Sequence, residues 1–304
     1  MLMLTAIVLW SVNFPLIKIA LREFTPLAFN GIRLTFASLM LLFFLRMRGE
    51  KLAVSRSLFW KLVGLGLCGN TAYQMFFIHG LNHTTASNTA IIIAMAPVII
   101  AMTSAAMKQE TIRPAAWGGI LISFIGFYLV ISGGGGSFQL SWSHLRGDLL
   151  IFAGNLFWAL FTVLSKPLLE EISPLKLTTW TMVLGTVFYL PFCIGDMLQV
   201  PAARISAEAW AVLLYSGFFA LAVCYVIWYT SVRRVGNSKT AIYDNLVPVF
   251  TVVFAGLFLA ERITVIQGAG AGVIFIGVYL ARSGYRWFER RPRKSKTALR
   301  EEIE

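Results

Sequence analysis

Ten stretches of almost unbroken apolar sequence divide the 304-residue chain, at 1–21, 27–45, 58–79, 84–107, 114–132, 148–167, 174–195, 208–231, 239–260 and 263–281. Each is close to the roughly 20 helical residues that cross a hydrocarbon core about 30 Å thick. They are too long and too uniform for half-buried strands, and they lack the period-two alternation of barrel strands. An all-α integral membrane protein of ten transmembrane helices is therefore expected. With 58% apolar and only 13% charged residues, the chain departs from soluble domains, which carry about a quarter charged. A soluble globule, a disordered chain and a fibrous repeat are excluded.

The net charge of +12 comes from 26 Lys plus Arg against 14 Asp plus Glu. Nucleic-acid binding would gather these cations on a folded surface with stacking aromatics, but here they lie in the gaps between apolar runs. If the first stretch starts in the cytoplasm, 20 of them fall inside and four outside, the four being Arg22, Arg146, Arg204 and Arg262. That asymmetry orients a membrane protein and predicts a multi-pass protein of the cell (inner) membrane with both termini cytoplasmic. Lys18 and Arg33 lie near the outer ends of their stretches and read as snorkelling side chains. The basic tail Arg290 to Lys296 suits anionic lipid. The first stretch lacks a basic leader and a small-residue cleavage site, so it reads as a retained span. Cys68, Cys193 and Cys224 show no disulfide or zinc spacing.

The chain also repeats itself. A shift of 148 residues pairs Trp10 with Trp158, Leu16 with Leu164, Lys18 with Lys166, Glu23 with Glu171 and Pro26 with Pro174. A shift of 151 pairs Thr89 with Thr240, Pro97 with Pro248, Glu110 with Glu261, Gly126 with Gly277 and Tyr128 with Tyr279. Two five-helix units, 1–132 and 148–283, are thus joined by a Gly/Ser-rich connector, 133–147, and followed by a basic cytoplasmic tail, 284–304. Five is odd, so the second unit enters the membrane from the opposite side. Inverted repeats are common in secondary transporters, whose sites lie at the midplane between the halves. A duplication kept only for stability is the alternative.

The opening Leu9-Trp-Ser-Val-Asn-Phe-Pro-Leu-Ile-Lys18, Thr25-Pro26 followed by Arg33, the fourth stretch closing on Glu110, and Gly268-Ala-Gly-Ala-Gly-Val-Ile-Phe-Ile-Gly-Val-Tyr279 resemble the drug/metabolite transporter superfamily, EamA type. The resemblance covers essentially the whole chain. It implies a ten-helix carrier of amino acids, metabolites or drugs, with aromatic amino-acid exporters among its relatives, and leaves the substrate open.

Trp10 and Asn13 fall near the middle of the first stretch, Asn155 and Trp158 near the middle of the sixth. Symmetric rings and amides suit a neutral or zwitterionic ligand with an apolar part; interfacial anchoring and helix-to-helix bonding are the alternatives. Tyr73, Gln74, Phe77 and His79, with Tyr225, Trp228 and Tyr229, suggest a lined pathway or ordinary packing. His79 reads as a substrate contact, a proton sensor or a structural hydrogen-bonding group. His79 and His83 are four apart, but nothing nearby completes a metal site. Tyr243-Asp-Asn245 sits two turns inside the ninth stretch, and Asp244 is a candidate for binding an amine or coupling a proton, unless it pairs with Arg233, Arg234 or Lys239. Pro97 and Pro248 are hinges or static kinks. The glycines of the fifth and tenth stretches, Gly268 and Gly272 among them, are expected to pack helices closely. Gly133 to Gly136 forms a flexible joint.

The expected function is export of small metabolites, foremost neutral or aromatic amino acids, by alternating access through a cavity between the repeats. No cofactor or metal is expected, the partners are a small-molecule substrate and the bilayer, and the oligomeric state is left open, a monomer included. An enzyme acting on lipid-linked substrates would need a carboxylate cluster or a close His and Asp pair; His144 and Asp148 lie alone in the external connector. A channel is the remaining alternative, distinguished by flux that does not saturate.

Overall fold

The computed structural model describes residues 2–108, 114–132 and 142–286. Glu110, Gly133 to Gly136 and the basic run from Arg290 to Lys296 lie outside the described residues. Helix accounts for nearly all of what is described, with no strand. We number the helices α1 (Leu2–Ala20), α2 (Pro26–Met47), α3 (Arg56–Gly66, then Leu67–Ala72 and Tyr73–His83), α4 (Ala86–Ile93 and Ala96–Ala106), α5 (Pro114–Ser132), α6 (Trp142–Leu168), α7 (Pro174–Leu198), α8 (Ala207–Tyr215, then Ser216–Val223 and Cys224–Val235), α9 (Asn237–Ala241, then Ile242–Leu246 and Val247–Leu259) and α10 (Val265–Arg286).

Six of these, α1, α2, α4, α6, α7 and α8, are long and apolar enough to cross a membrane; shorter apolar stretches are 117–130, 243–259 and 265–280. Large apolar side chains such as Leu121, Leu198, Leu257 and Val265 point outward, which water would penalise and lipid does not.

Short hydroxyl residues start the helices. Thr25, Ser55, Thr85, Ser173 and Ser206 each accept a hydrogen bond from the backbone N–H three residues on, a cap worth about 1 kcal/mol. Pro26 and Pro174 follow two of them at the first helical position, where the missing N–H costs nothing. Two helices are wound differently at their centres. Leu67–Ala72 in α3 and Ser216–Val223 in α8 are π-helical, a form that recurs at functional sites. Nothing in the sequence announces it. Two others break: α4 at Ala94–Met95, just before Pro97, and α9 through the 3₁₀ turn Ile242–Leu246, just before Pro248. The two prolines therefore begin helical segments, where they fit, and do not kink helix interiors.

The main packing partners cross between the halves of the chain. α1 packs on α8 and α9, while α6 packs on α3 and α4; α2 packs on α7, and α5 on α10. The α5–α10 contact is close because of Gly126, Gly270 and Gly277: a Cβ on Gly126 would lie 2.6 Å from the Ile274 nitrogen, and one on Gly277 2.5 Å from the Ser123 nitrogen. Gly268 and Gly272 have open space beside them, which corrects the expectation for that pair: they lie on the turn of α10 that faces away from α5.

Alternating passages give the bundle two ends. One carries the turns 21–25, 84–85, 199–206 and 260–264, the other the turns 48–55, 169–173 and 236. We call them the first and second end. α6 begins six residues before its apolar stretch, so His144 and Asp148 are helical and not part of a connector. Asp148 is buried, receiving bonds from the Thr84 hydroxyl and the Asn88 amide, and these partners let the helix continue past a carboxylate.

Candidate functional site

Between the halves lies a cavity of ≈ 50 Å³, room for a few waters. α1 contributes Trp10, Asn13 and Phe14; α3 contributes Tyr73, Gln74 and Phe77; α6 contributes Asn155 and Trp158; α8 contributes Tyr225; α2 and α9 contribute Arg33 and Asp244. The π-turn of α8 and the two helix breaks border it too, through Ala220, Leu221, Ile93 and Val247. At the break in α4 the Ile92 carbonyl accepts from the Met95 N–H and also from the Asn155 amide, both at 3.1 Å, and the Val247 carbonyl lies 3.2 Å from the Ser11 hydroxyl.

The rings form one connected cage. Trp158 packs against Tyr73 and Tyr225, both with centroids at 5.3 Å, against Trp228 at 5.5 Å and edge-on against Trp10 at 6.2 Å. Trp10 also packs on Trp228 at 5.7 Å, and its indole N–H donates to the Ala220 carbonyl at 2.9 Å. Phe14 and Phe77 close another wall at 5.8 Å. Such pairs contribute about 0.5–1.5 kcal/mol each beyond area burial, so the cage is held together even without a ligand.

Of the residues expected from the sequence, Trp10, Asn13, Tyr73, Phe77, Asn155, Trp158, Tyr225 and Asp244 line the cavity. Trp228 is fully buried behind Trp10 and Trp158, its indole N–H unpartnered. His79 is half-buried near the first end of α3, outside the lining. Tyr243 is exposed, and Asn245 is half-buried with its amide oxygen unpartnered; neither lines the cavity. Pro97 and Pro248 stand at the two helix breaks.

Arg33 corrects the expectation of a snorkelling side chain. It is 1% exposed and turned inward, because polar groups meet it there. Its Nη1 donates to the Ser216 hydroxyl at 2.9 Å, and its Nη2 donates to Asn30 Oδ1 at 2.5 Å and Gln74 Oε1 at 2.6 Å. Gln74 in turn donates to the Tyr225 hydroxyl at 3.0 Å. The guanidinium also lies 5.6 Å and 5.9 Å from the Phe29 and Phe77 ring centres. Asn30, one turn before Arg33, is the sequence signal for this: an amide and a cation on one face of an apolar helix. Lys18 does reach the first end, but its ammonium donates to the Leu81 and Thr84 carbonyls and not to open water.

Asp244 is 3% exposed with Oδ2 unpartnered. Among the described residues the only ion pair joins Lys61 to Glu171, so neither Arg233 nor Arg234 pairs with Asp244. Also without partners are Asn13 Oδ1, Asn155 Oδ1 and Arg33 Nε. A set of bare buried polar atoms around one void calls for water or a ligand.

The comparisons with known proteins decide the family. The sequence matches the EamA-like transporter family at residues 1–132 and 145–283. The chain belongs to that family. It is 30% identical over 88% of both chains to the uncharacterized transporter YyaM of Bacillus subtilis, and 30% identical to an uncharacterized transporter of Archaeoglobus fulgidus over 92% of this chain and 96% of that one. A probable amino-acid metabolite efflux pump of Escherichia coli is 25% identical over 94% and 95% of the two chains. A solved crystal structure shares the fold at a TM-score of 0.68 and 18% identity, over 95% of this chain and 97% of that one. Like the rest of the EamA-like family, the protein is a multi-pass membrane transporter and not an enzyme.

Proposed function

We propose that this EamA-like transporter exports neutral and aromatic amino acids, or metabolites like them, across the inner membrane by alternating access. On this reading the ten helices all span the bilayer, form two inverted five-helix repeats, and leave both chain ends in the cytoplasm, so that the first end of the bundle faces out. The observation that carries the proposal is the cavity: an aromatic cage containing one cation and one carboxylate that do not pair with each other. Such a site matches a small zwitterion with an apolar side chain. Three further observations support it. Packing partners exchange in repeat-related pairs, the π-turns and helix breaks recur at matching positions of the two halves, and exposed Arg46, Arg48, Lys51, Arg56, Arg233 and Arg234 gather at the second end, as cytoplasmic loops would. The efflux pump among its relatives points the same way.

The test is flux of labelled phenylalanine and leucine from proteoliposomes. Trp158→Ala removes the ring that touches five others and should lower flux by tenfold or more; Asn155→Ala should lower it less. Unaltered flux in both variants overturns the site. An absence of saturation in the unmodified protein overturns the carrier reading.

A further inference from the structure

The cavity is electrically polarised along the bundle axis. Arg33 lies seven residues into α2, counted from the first end, and Asp244 seven residues into α9, counted from the second. At helical rise each is about 10 Å inside its end. The cation therefore sits at the wall nearer the first end, the carboxylate at the wall nearer the second, with the Trp10 and Trp158 rings between. Among the described side chains neither charge meets one of opposite sign: Arg33 is held by three uncharged oxygens, and Asp244 Oδ2 has no partner. Burying two charges in a membrane interior and leaving both unpaired is costly. It becomes intelligible if a transported molecule supplies the missing charges.

Resting on the amino-acid reading above, we propose that Arg33 and Asp244 are the two recognition poles of the site. Arg33 receives the substrate carboxylate through its free Nε–H, and Asp244 attracts the substrate ammonium. The field of one pole reaches across the water-poor cavity even where the other makes the contact. The bound molecule thus points its carboxylate toward the first end, and its side chain lies among the rings, which must part to admit it because the cavity holds only a few waters. Selectivity follows directly. The site favours molecules carrying both charges over those carrying either one, because an amine leaves Arg33 bare and an acid leaves Asp244 bare.

Equilibrium competition against labelled L-phenylalanine, on the full chain in lipid nanodiscs, tests this with 2-phenylethylamine and 3-phenylpropionate as probes. Each probe lacks one charge-assisted hydrogen bond and should bind about 10- to 100-fold more weakly than phenylalanine. In Asp244→Asn the acid should come to compete nearly as well as phenylalanine while the amine remains poor. Arg33→Gln should reverse the pattern, and Arg33→Lys should restore the original order. A purely structural role would weaken all three ligands together and leave their ranking intact. Should Arg33→Gln fail to fold, Asp244→Asn alone decides. Phenylalanine binding with unchanged ranking in Asp244→Asn overturns the two poles and leaves the amino-acid reading standing. No phenylalanine binding to the unmodified protein overturns both.

Discussion

The two ends of the bundle carry related residues and use them differently. At the first end Glu23 accepts bonds from the Ser206 N–H at 2.6 Å and the Ser206 hydroxyl at 2.7 Å, joining the α1–α2 turn to the start of α8. Its repeat mate Glu171 should meet Ser55, the corresponding cap of α3, yet it lies half-open to solvent, 3.9 Å from Lys61. Lys18 closes on the Leu81 and Thr84 carbonyls at the end of α3; the ammonium of Lys166, which the 148-residue offset pairs with it, makes no such bond among the described residues. Among the described residues only the α2–α7 pair is joined at both ends, through Thr25 to Asp196 at 2.6 Å and Ser173 to Glu50 at 2.5 Å. The lesson is that α2 and α7 form a common spine, whereas the contacts around it are made at one end and left open at the other. On the proposed mechanism, the opposite arrangement breaks the Glu23 and Lys18 contacts and makes those of Glu171 and Lys166.

The comparison is broken most severely at Glu261. Its carboxylate, in the turn before α10, accepts from the Ala86 and Ser87 N–H groups, both at 3.0 Å, and from the Ser87 hydroxyl at 2.7 Å. It therefore caps α4 from 175 positions away. Bonds to a charged group contribute about 1.5–3 kcal/mol, so Glu261→Ala should open the first end by an order of magnitude or more. Maleimide labelling of a cysteine placed at Ile93, on the cavity wall, reads this from the face that the proposed orientation makes the outer one in oriented vesicles. A labelling rate equal to that of the Ile93→Cys parent would show that these contacts do not close the first end.

That cap illustrates which features can be read from sequence. Asn13, Asn155 and Asp244 stand out because polar residues inside an apolar run are costly in lipid and need a reason, and Trp10 and Trp158 because they sit away from the interfaces where such rings gather. The 148-residue offset pairs the two tryptophans from the residue order alone. The inward turn of Arg33 is only half legible: Asn30 one turn earlier points to it, but seven residues from a helix start a long side chain can turn either to water or inward. What turns it inward is Gln74 and Ser216 on two other helices. Glu261 is legible as a repeat mate of Glu110 but not as a cap, since its partners depend on how α4 and α10 meet. The π-turns in α3 and α8 have no proline or other local marker, only small residues where helices cross.

Glu23 and Glu171 sharpen the comparison with effects of opposite sign. Glu23→Gln weakens the closed first end, so it should speed outer labelling several-fold. Glu171→Gln removes a contact of the other arrangement and should slow it. The first effect also depends on pH. The Ser206 hydroxyl, and then its N–H, bond the ionised form and hold the Glu23 carboxyl below its ordinary 4.5. The folded value is the depressed one, so the contribution is complete above about 4.5 and fades as pH falls through the lowered folded value. The thiol reaction itself slows as the thiolate is lost at acid pH. The readout is therefore the ratio of outer labelling of the Ile93 cysteine in the parent to that in the same protein carrying Glu23→Gln, and this ratio should rise toward one at the acid end. Equal acid responses in the two proteins would mean that Glu23 does not hold the end shut.

The smallest effect is expected at Lys61 and Glu171, although they form the one ion pair among the described residues. At 3.9 Å, with the two side chains 53% and 54% exposed, the charges are screened by water, and ordering two flexible side chains offsets most of their attraction; exposed pairs of this kind contribute about 0–1 kcal/mol. Lys61→Met should leave the thermal midpoint of the protein in detergent essentially unchanged and should be insensitive to salt. It should also leave the outer labelling rate alone, because the pair holds Glu171 only loosely and does not compete with Ser55. A clear drop in stability would mean that the second end is fastened as firmly as the first, and the asymmetry between the ends would then have to be sought in the buried groups and not in the loops.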